Sequence, residues 1–220
     1  MLFRDRQEAG QMLAERLLAF KDQRPVVLAL PRGGVPVAFE VARVLAAPLD
    51  LVLVRKIGAP QQPELALGAV ADGEQPELVT DPQLVRHVGA SDEYLERARR
   101  AGLQEIERRR HVYLGDHPPV DIRGRPAIVV DDGIATGATM RAALRATRRR
   151  APSRLILAVP VAPPDTMRRL RGEVDEAIFL DTPTEFFAVG QFYEQFPQLR
   201  DQQVVDLLNQ ARAFVSAQET

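Results

Sequence analysis

Residues 127–140 constrain the fold of this chain more than any other stretch, because an apolar run there ends in two adjacent acids and a loop of small residues. The β-branched run Ile128-Val129-Val130 predicts a buried strand, with Asp131 and Asp132 at its carboxyl end. The residues from about Ala138 onward predict a helix. A buried strand that leads through a short loop into a helix is typical of an α/β protein with a parallel sheet.

The loop between this strand and helix has the composition of an anion-binding site. Its small residues let the backbone fold tightly and turn N–H groups toward a bound anion. The hydroxyls of Thr136 and Thr139 add donors, and the first turn of the helix adds positive dipole. A phosphate cradle beside two carboxylates suits a sugar phosphate, although acids that only cap the helix are a structural alternative. No Gly-Lys-Ser or Gly-Lys-Thr follows, so a Walker loop is excluded.

Strands and helices alternate along the chain, which predicts a mostly parallel sheet with right-handed crossovers and ligand sites at the strand carboxyl ends. The predicted core strands are 26–30, 51–54, 127–131, 155–159 and 177–180, and shorter strand-like pieces lie at 67–71 and 77–80. The predicted helices are 6–20, 37–45, 91–110, 137–150, 164–172 and 201–216. We expect a single domain over 1–220 with an insertion at about 58–120 and a C-terminal hood at about 183–220.

Two further segments carry candidate anion ligands. Pro31-Arg32-Gly33-Gly34 follows the first core strand, where two glycines permit close backbone approach to an anion and Arg32 supplies a fork of donors. Arg55-Lys56 closes the second predicted strand and could contact a departing anion. The residues also allow plainer interpretations: a turn that merely needs glycine, and a charged strand end that meets solvent.

These segments resemble a known family. Residues 127–140 resemble the 5-phosphoribosyl-1-pyrophosphate (PRPP) signature of type I phosphoribosyltransferases, and residues 31–34 resemble the pyrophosphate loop of that family. The resemblance covers about 25–60 and 125–182, and it is closest to a group of predicted bacterial phosphoribosyltransferases with unassigned substrate. It implies an α/β fold with a Rossmann-like, mostly parallel sheet flanked by helices, an inserted flap and helix, and a C-terminal hood.

The resemblance also implies roles for the candidate residues. Asp131 and Asp132 would hold the ribose hydroxyls and Mg²⁺, directly or through water. The 5′-phosphate would lie in the loop formed by Ala135, Thr136, Gly137, Ala138 and Thr139. The pyrophosphate would contact Arg32, Gly33, Gly34, Arg55 and Lys56, with an exposed backbone N–H in the Arg32–Gly33 region. The residues with catalytic roles would be Arg32, Lys56, Asp131 and Asp132.

The implied activity is Mg²⁺-dependent transfer of the 5-phosphoribosyl group from PRPP to a nitrogen nucleophile, with a nucleobase as the expected acceptor and nucleotide salvage as the expected role. The segment from Gly58 to about Ala71 would be a mobile flap over the reacting centre, in which Glu64 is more typical of an exposed loop residue than of a ligand. The alternative is a non-catalytic regulatory protein that senses PRPP or a nucleotide on the same fold.

The acceptor is not readable from these residues. The hypoxanthine/guanine branch carries an aspartate where this chain has Ala135, and the Ala-Thr-Gly form of the loop is nearer the adenine branch. Aromatic residues of the hood could stack a base or pack a small core. They are Phe186, Phe187, Phe192 and Tyr193.

Composition excludes several other classes of protein. The net charge of −1 at pH 7 argues against a general nucleic-acid-binding surface. No apolar run reaches the roughly 18 residues of a membrane span, and the first residues lack the apolar region of a signal peptide. The absence of cysteine excludes disulfides and zinc-thiolate sites. We expect a cytoplasmic protein whose oligomeric state, including a homo-oligomer, stays open.

Charge patterning gives no second site. The predicted helix at 91–110 mixes arginines and glutamates, which favours a solvated, salt-bridged face over an RNA site. Its arginines are Arg97, Arg99, Arg100, Arg108, Arg109 and Arg110, and its glutamates are Glu93, Glu96, Glu105 and Glu107. The histidines His87, His111 and His117 lack the spacing of metal ligands.

Overall fold

The computed structural model describes residues 1–72 and 76–216, apart from the side chains of residues 64, 77, 215 and 216. Strands are β1 Val26–Ala29, β2 Leu49–Leu51, β3 Val54–Ala59, β4 Gln62–Ala71, β5 Glu77–Thr80, β6 Pro126–Val130, β7 Arg154–Val161 and β8 Glu176–Asp181. Helices are α1 Arg6–Arg16, α2 Gly34–Leu45, α3 Pro82–Val88, α4 Asp92–Leu114, α5 Ala138–Arg149, α6 Pro164–Arg171 and α7 Asp201–Ser216. Two 3₁₀ helices span Leu18–Gln23 and Val189–Phe192.

Five strands form a parallel sheet in the order β2-β1-β6-β7-β8. Both faces of this sheet are covered, because successive side chains of a strand point to opposite sides and each side meets helices. On one side Val27, Ile128 and Val130 pack against residues of α1, α2 and α7. On the other side Leu28 and Val129 pack against residues of α5 and α6. The predicted mostly parallel α/β sheet is confirmed.

A second, antiparallel sheet has the order β3-β4-β5. It packs on α5 through small side chains, where Ala69, Ala71 and Val79 meet Ala142 and Ala146. Small residues on both surfaces let the backbones approach closely. The segment predicted as a flap is therefore a hairpin whose base is packed on the helix that follows the candidate phosphate loop.

The prediction that Arg55 and Lys56 close the second parallel strand is wrong. That strand, β2, ends at Leu51, and both residues lie exposed within β3 of the antiparallel sheet. The apolar run continues through Val52 and Leu53 into β3, so hydrophobicity alone does not mark the point at which the chain leaves one sheet for the other.

Helix α4 begins where the sequence predicts, because the Ser91 hydroxyl accepts a hydrogen bond of 3.2 Å from the Tyr94 N–H. Its charged face is the predicted salt-bridged surface, with Glu96 accepting from Arg99 and Arg100 at 2.8 and 2.9 Å.

Helix α3 is not among the predicted helices. It is capped by Asp81, whose side chain accepts from two backbone N–H groups. Residues 73–75 of the predicted insertion and 217–220 of the predicted hood lie outside the described residues.

The first residues of the described chain meet the segment that follows β8. Phe3 forms a parallel bridge with Tyr193, and the backbone N–H of Phe3 donates to the carbonyl of Phe192 at 2.8 Å. Phe192 and Tyr193 are buried in this contact, so they pack a small core, whereas Phe187 is 89% exposed. Among the described residues, no helix combines the length and apolar character needed to cross a bilayer.

Candidate active site

Two candidate loops meet at the carboxyl edge of the parallel sheet. The turn after β1 lies directly against the acids after β6: a Cβ atom added to Gly33 would lie 2.1 Å from Oδ2 of Asp132, and one added to Gly34 would lie 2.8 Å from Cα of Asp131. No side chain larger than hydrogen fits between these loops. The Pro31–Arg32 peptide bond is cis, one residue before the region in which an unusual peptide was expected. The structure therefore places the predicted pyrophosphate loop and the predicted ribose acids in contact.

Arg6 of α1 supplies the counter-charge of this acid pair. Its Nε donates to Oδ2 of Asp132 at 2.8 Å, and its Nη1 donates to the Pro197 carbonyl at 2.9 Å. The guanidinium carbon lies 3.8 Å from the centroid of the Phe196 ring. Only 9% of the Arg6 side chain and 12% of the Asp132 side chain are exposed. A buried charge is tolerated in this way only when it is paired and hydrogen-bonded.

Arg6 is not among the residues identified from the sequence, although one signal was available. Arg6 lies on the same buried face of α1 as Ala9, Gly10 and Leu13, which follow it at spacings of three and four residues. An arginine on a buried helical stripe requires an anionic partner. Its partner lies 126 residues away, so the pairing itself has no local signature.

The two acids differ in their electrostatics. Burial, and next the negative charge of Asp132, raise the pKa of Asp131 well above its ordinary value of 3.8. Burial also raises the pKa of Asp132, but the charge and hydrogen bond of Arg6 oppose that shift. The backbone N–H of Asp132 donates to Oδ1 of Asp131 at 2.9 Å. Asp131 is thus the carboxylate that gains most from an added cation.

Tyr193 binds the backbone carbonyl of Asp132. Its hydroxyl donates to the Asp132 carbonyl at 2.5 Å. Burial, and next the charge of Asp132, raise the pKa of Tyr193, which keeps the hydroxyl protonated as a donor. A hood residue that was considered as a base-stacking group therefore holds the acid loop instead.

The predicted phosphate loop opens α5. Gly137 is the residue before the helix and has a φ of +82°, a left-handed conformation that favours glycine. Thr166 and Leu170 of α6 pack on it, within 2.9 and 3.4 Å of the position of an added Cβ. Thr166, another residue that the sequence analysis missed, donates from its hydroxyl to the Ala135 carbonyl at 2.7 Å.

Arg32 reaches from the turn after β1 toward the hood. Its Nη1 lies 3.7 Å from Oδ1 of Asp201, and that oxygen also accepts from the Tyr113 hydroxyl at 2.6 Å. Burial and the bond to Asp201 raise the pKa of Tyr113 to about 12, so the phenol stays a donor at neutral pH. Arg32 also lines a cavity of about 370 Å³ together with Arg6, Gly33, Asp132 and residues 196–199.

Some of the predicted site residues lie away from the cavity beside Asp132. Arg55 and Lys56 do not line that cavity. The Arg55 side chain passes close to α4, with Cβ and Cγ 3.6 Å from the position of a Cβ on Gly102. The side chain of Glu64 lies outside the described residues.

The residues present fit a hard cation with few protein ligands. Within the described parts of the chain, no group of three or more histidine and acidic side chains could form a closed metal site. Asp131 and Asp132 together offer carboxylate oxygens, the donors that Mg²⁺ prefers, and Mg²⁺ commonly completes its shell with water and substrate oxygens. Asp131 would be the main protein ligand, because Arg6 already binds Asp132.

The fold is that of a type I phosphoribosyltransferase domain. The model of the phosphoribosyl transferase domain matches residues 5–193, and the chain belongs to that family.

Similar proteins share most of the chain. Two Mycobacterium tuberculosis proteins, from strains CDC 1551 and H37Rv, are each named "Putative phosphoribosyl transferase" and are 46% identical over 217 residues, 98% of this chain. The chain spans 48% of their length, about half. The crystal structure of TT1426 from Thermus thermophilus is 46% identical, with a TM-score of 0.77 over 96% of this chain and 99% of that one.

We predict that Arg6→Met destabilises the fold by about 3–5 kcal/mol, because it leaves the buried Asp132 carboxylate without its partner. The measurement is the free energy of unfolding in urea. Arg4→Met is the matched control: Arg4 pairs with the neighbouring Asp5 at the surface, and its loss should change stability by less than about 0.5 kcal/mol. Equal effects of the two substitutions would show that the Arg6–Asp132 pair does not stabilise the structure.

We predict that Asp131→Asn stabilises the ligand-free chain near neutral pH. A carboxyl group whose pKa is raised by folding destabilises the fold once it ionises. For Asp131 that penalty is absent below the ordinary pKa of 3.8, grows as the pH rises toward the raised value, and is complete above it. Asparagine keeps an acceptor oxygen for the Asp132 N–H and never ionises.

The free energy of unfolding, measured from about pH 4 to about pH 8, should therefore favour the Asp131→Asn variant increasingly as the pH rises. A pH-independent difference, or a variant that is less stable than the wild type at the upper end, would contradict the raised pKa. Single substitution of Asp131 is the cleaner choice, because changing Asp132 would also leave Arg6 buried without its partner.

Proposed function

We propose that this chain transfers the 5-phosphoribosyl group of PRPP to a nitrogen nucleophile and releases pyrophosphate. The observation that carries the proposal is the contact between the turn at Gly33 and the acid at Asp132, where an added Cβ would lie 2.1 Å from a carboxylate oxygen. That contact brings a loop suited to pyrophosphate and acids suited to ribose hydroxyls to one centre. The loop that opens α5, suited to the 5′-phosphate, follows the same acids in the chain.

The proposed reaction is a substitution at C1 of the ribose. The bond from C1 to the pyrophosphate oxygen breaks with both electrons on oxygen, a C1–N bond forms, and the nitrogen's proton passes to solvent. Asp131 would accept hydrogen bonds from the ribose hydroxyls. Arg32 and the backbone N–H groups of Gly33 and Gly34 would offset the charge that develops on the pyrophosphate. Catalysis would come mainly from orientation and from stabilisation of the leaving group.

Mg²⁺ is part of the proposal. When bound, it would supply positive charge that offsets the negative charge of the leaving group. Asp131 would hold it, in keeping with a carboxyl group whose pKa is raised by burial and by a neighbouring acid.

A nucleobase is the proposed acceptor. The cavity of about 370 Å³ beside Asp132 has the size of a small-molecule site, and Phe196 in its wall is 37% exposed. A PRPP sensor without turnover would need the same binding centre, so binding alone does not separate the two functions.

Lys56 and Arg55 enter the proposal from the antiparallel sheet. Both are exposed on β3, and the sheet's packing on α5 connects their position to the phosphate loop. The Arg55 side chain passes α4, and Lys56, the next residue of the strand, points to the opposite face. Lys56 would therefore be the residue that reaches pyrophosphate, which suits a contact made mainly as negative charge builds on the leaving group.

We predict Mg²⁺-dependent release of pyrophosphate from PRPP when the chain is supplied with a panel of nucleobases. Lys56→Ala should lower kcat by about 10²- to 10³-fold and change PRPP affinity little, because the contact is made in the transition state. Arg32→Ala should weaken both, because its donors would touch pyrophosphate in the ground state. Lys21→Ala is the matched control, since Lys21 is the chain's other lysine and is exposed on the first 3₁₀ helix.

If the chain binds PRPP tightly but releases no pyrophosphate with any acceptor, the proposed enzyme should be abandoned in favour of the PRPP sensor. Turnover that is unchanged in Lys56→Ala would leave the enzyme in place and remove the proposed role of Lys56.

A further inference from the structure

A short chain of hydrogen bonds runs from the surface of α6 to the loop that opens α5. Nη2 of Arg169 donates to the Thr166 hydroxyl oxygen at 3.1 Å, and that hydroxyl donates to the Ala135 carbonyl at 2.7 Å. Thr166 is only 2% exposed, and its methyl group lies 2.9 Å from the position of a Cβ on Gly137. The side chain therefore contacts the loop at two points, one polar and one apolar.

The hydrogen bond to Ala135 sets the direction of a backbone donor. The carbonyl of Ala135 and the N–H of Thr136 belong to one planar trans peptide, so they point in opposite directions. Because Thr166 holds the carbonyl on the α6 side, the Thr136 N–H is directed away from α6. Rotation of that peptide would turn the carbonyl oxygen toward a bound anion, which is repulsive.

Arg169 adds charge and polarity to this arrangement. Its bond to the Thr166 oxygen leaves the hydroxyl hydrogen for Ala135, so the donors follow one another in a single direction. Hydrogen bonds in such a series polarise one another and strengthen the last donor. The loop at 135–139 contains no charged side chain, so its backbone donors would hold a phosphate dianion. Arg169 would act on these donors through the hydrogen-bond series and not by direct contact with the anion.

The neighbouring arginines have different partners. Arg168 forms an ion pair with Asp165, and Arg171 contacts the sulfur of Met167 at 3.9 Å. Arg169 shares a face of α6 with Thr166, three residues earlier, and a helical side chain points back toward the helix N-terminus. That direction carries its guanidinium toward the loop.

We propose that Thr166 is a positioning residue of the phosphate loop, and that Arg169 acts through it to strengthen the binding of a phosphorylated sugar at that loop. This inference rests on the proposed function, since it assigns the 5′-phosphate to the loop. It gives α6 a part in substrate binding that lies outside the residues identified from the sequence.

The test compares two ligands on the full chain by calorimetry: ribose 5-phosphate, which would need the loop, and inorganic pyrophosphate, which would not. Thr166→Val keeps the shape and removes the hydroxyl. It should weaken ribose 5-phosphate binding by about 5- to 10-fold, the effect of one lost hydrogen bond, and should leave pyrophosphate binding within about twofold. Thr166→Ser, which restores the donor, should return ribose 5-phosphate affinity to within about twofold of the wild type.

Arg169→Gln provides a second test at an exposed position that does not endanger folding. It should weaken ribose 5-phosphate binding by about threefold or more, less so at high salt, whereas Arg171→Gln on the same helix should have no effect. In turnover assays Thr166→Val and Arg169→Gln should each raise the KM for PRPP more than they change kcat.

Unchanged ribose 5-phosphate affinity in both Thr166→Val and Arg169→Gln would overturn the inference and leave the proposed function standing. Equal weakening of both ligands would also overturn it, because it would show a general loss of structure. A wild-type chain that binds neither PRPP nor ribose 5-phosphate would refute the proposed function itself, and this inference with it.

Discussion

Two adjacent carboxylates at the edge of a buried parallel sheet are the constraint around which this molecule is organised. Burial and mutual repulsion raise the pKa of Asp131, and Asp132 is tolerated because Arg6 lies 2.8 Å away. Gly33 and Gly34 close over the pair so tightly that a Cβ on either would collide with it. Such an arrangement costs stability and persists where an added cation or ligand can relieve the charge.

Asp132 is held by residues of α1 and of the segment at 193–197. Arg6 belongs to the first helix, and its guanidinium is also held by the Pro197 carbonyl and the Phe196 ring. Tyr193 holds the Asp132 carbonyl and is itself buried against Phe3. Residues 193–197 therefore support the acid pair together with α1.

The antiparallel sheet packs on α5, and α6 packs on the loop that precedes that helix. The sheet packs on α5 through Ala142 and Ala146 and carries the exposed cations of β3. On α6, Thr166 and Leu170 pack against Gly137 in the loop before the same helix. Helix α5 is thus in contact with the antiparallel sheet, and the loop that precedes it is in contact with α6.

The sequence by itself determined the local units: the strand before Asp131, the glycine turn at 31–34, the loop at 135–139 and the Ser91 cap of α4. Each is set by periodicity or by backbone requirements within a few residues. Tertiary structure alone decided the pairing of Arg6 with Asp132 across 126 residues, the bond from Thr166 to Ala135 across 31, and the sheet to which Arg55 and Lys56 belong. Pairings between distant residues leave no local pattern in the sequence. A continuous apolar run likewise does not show which of two sheets its residues join.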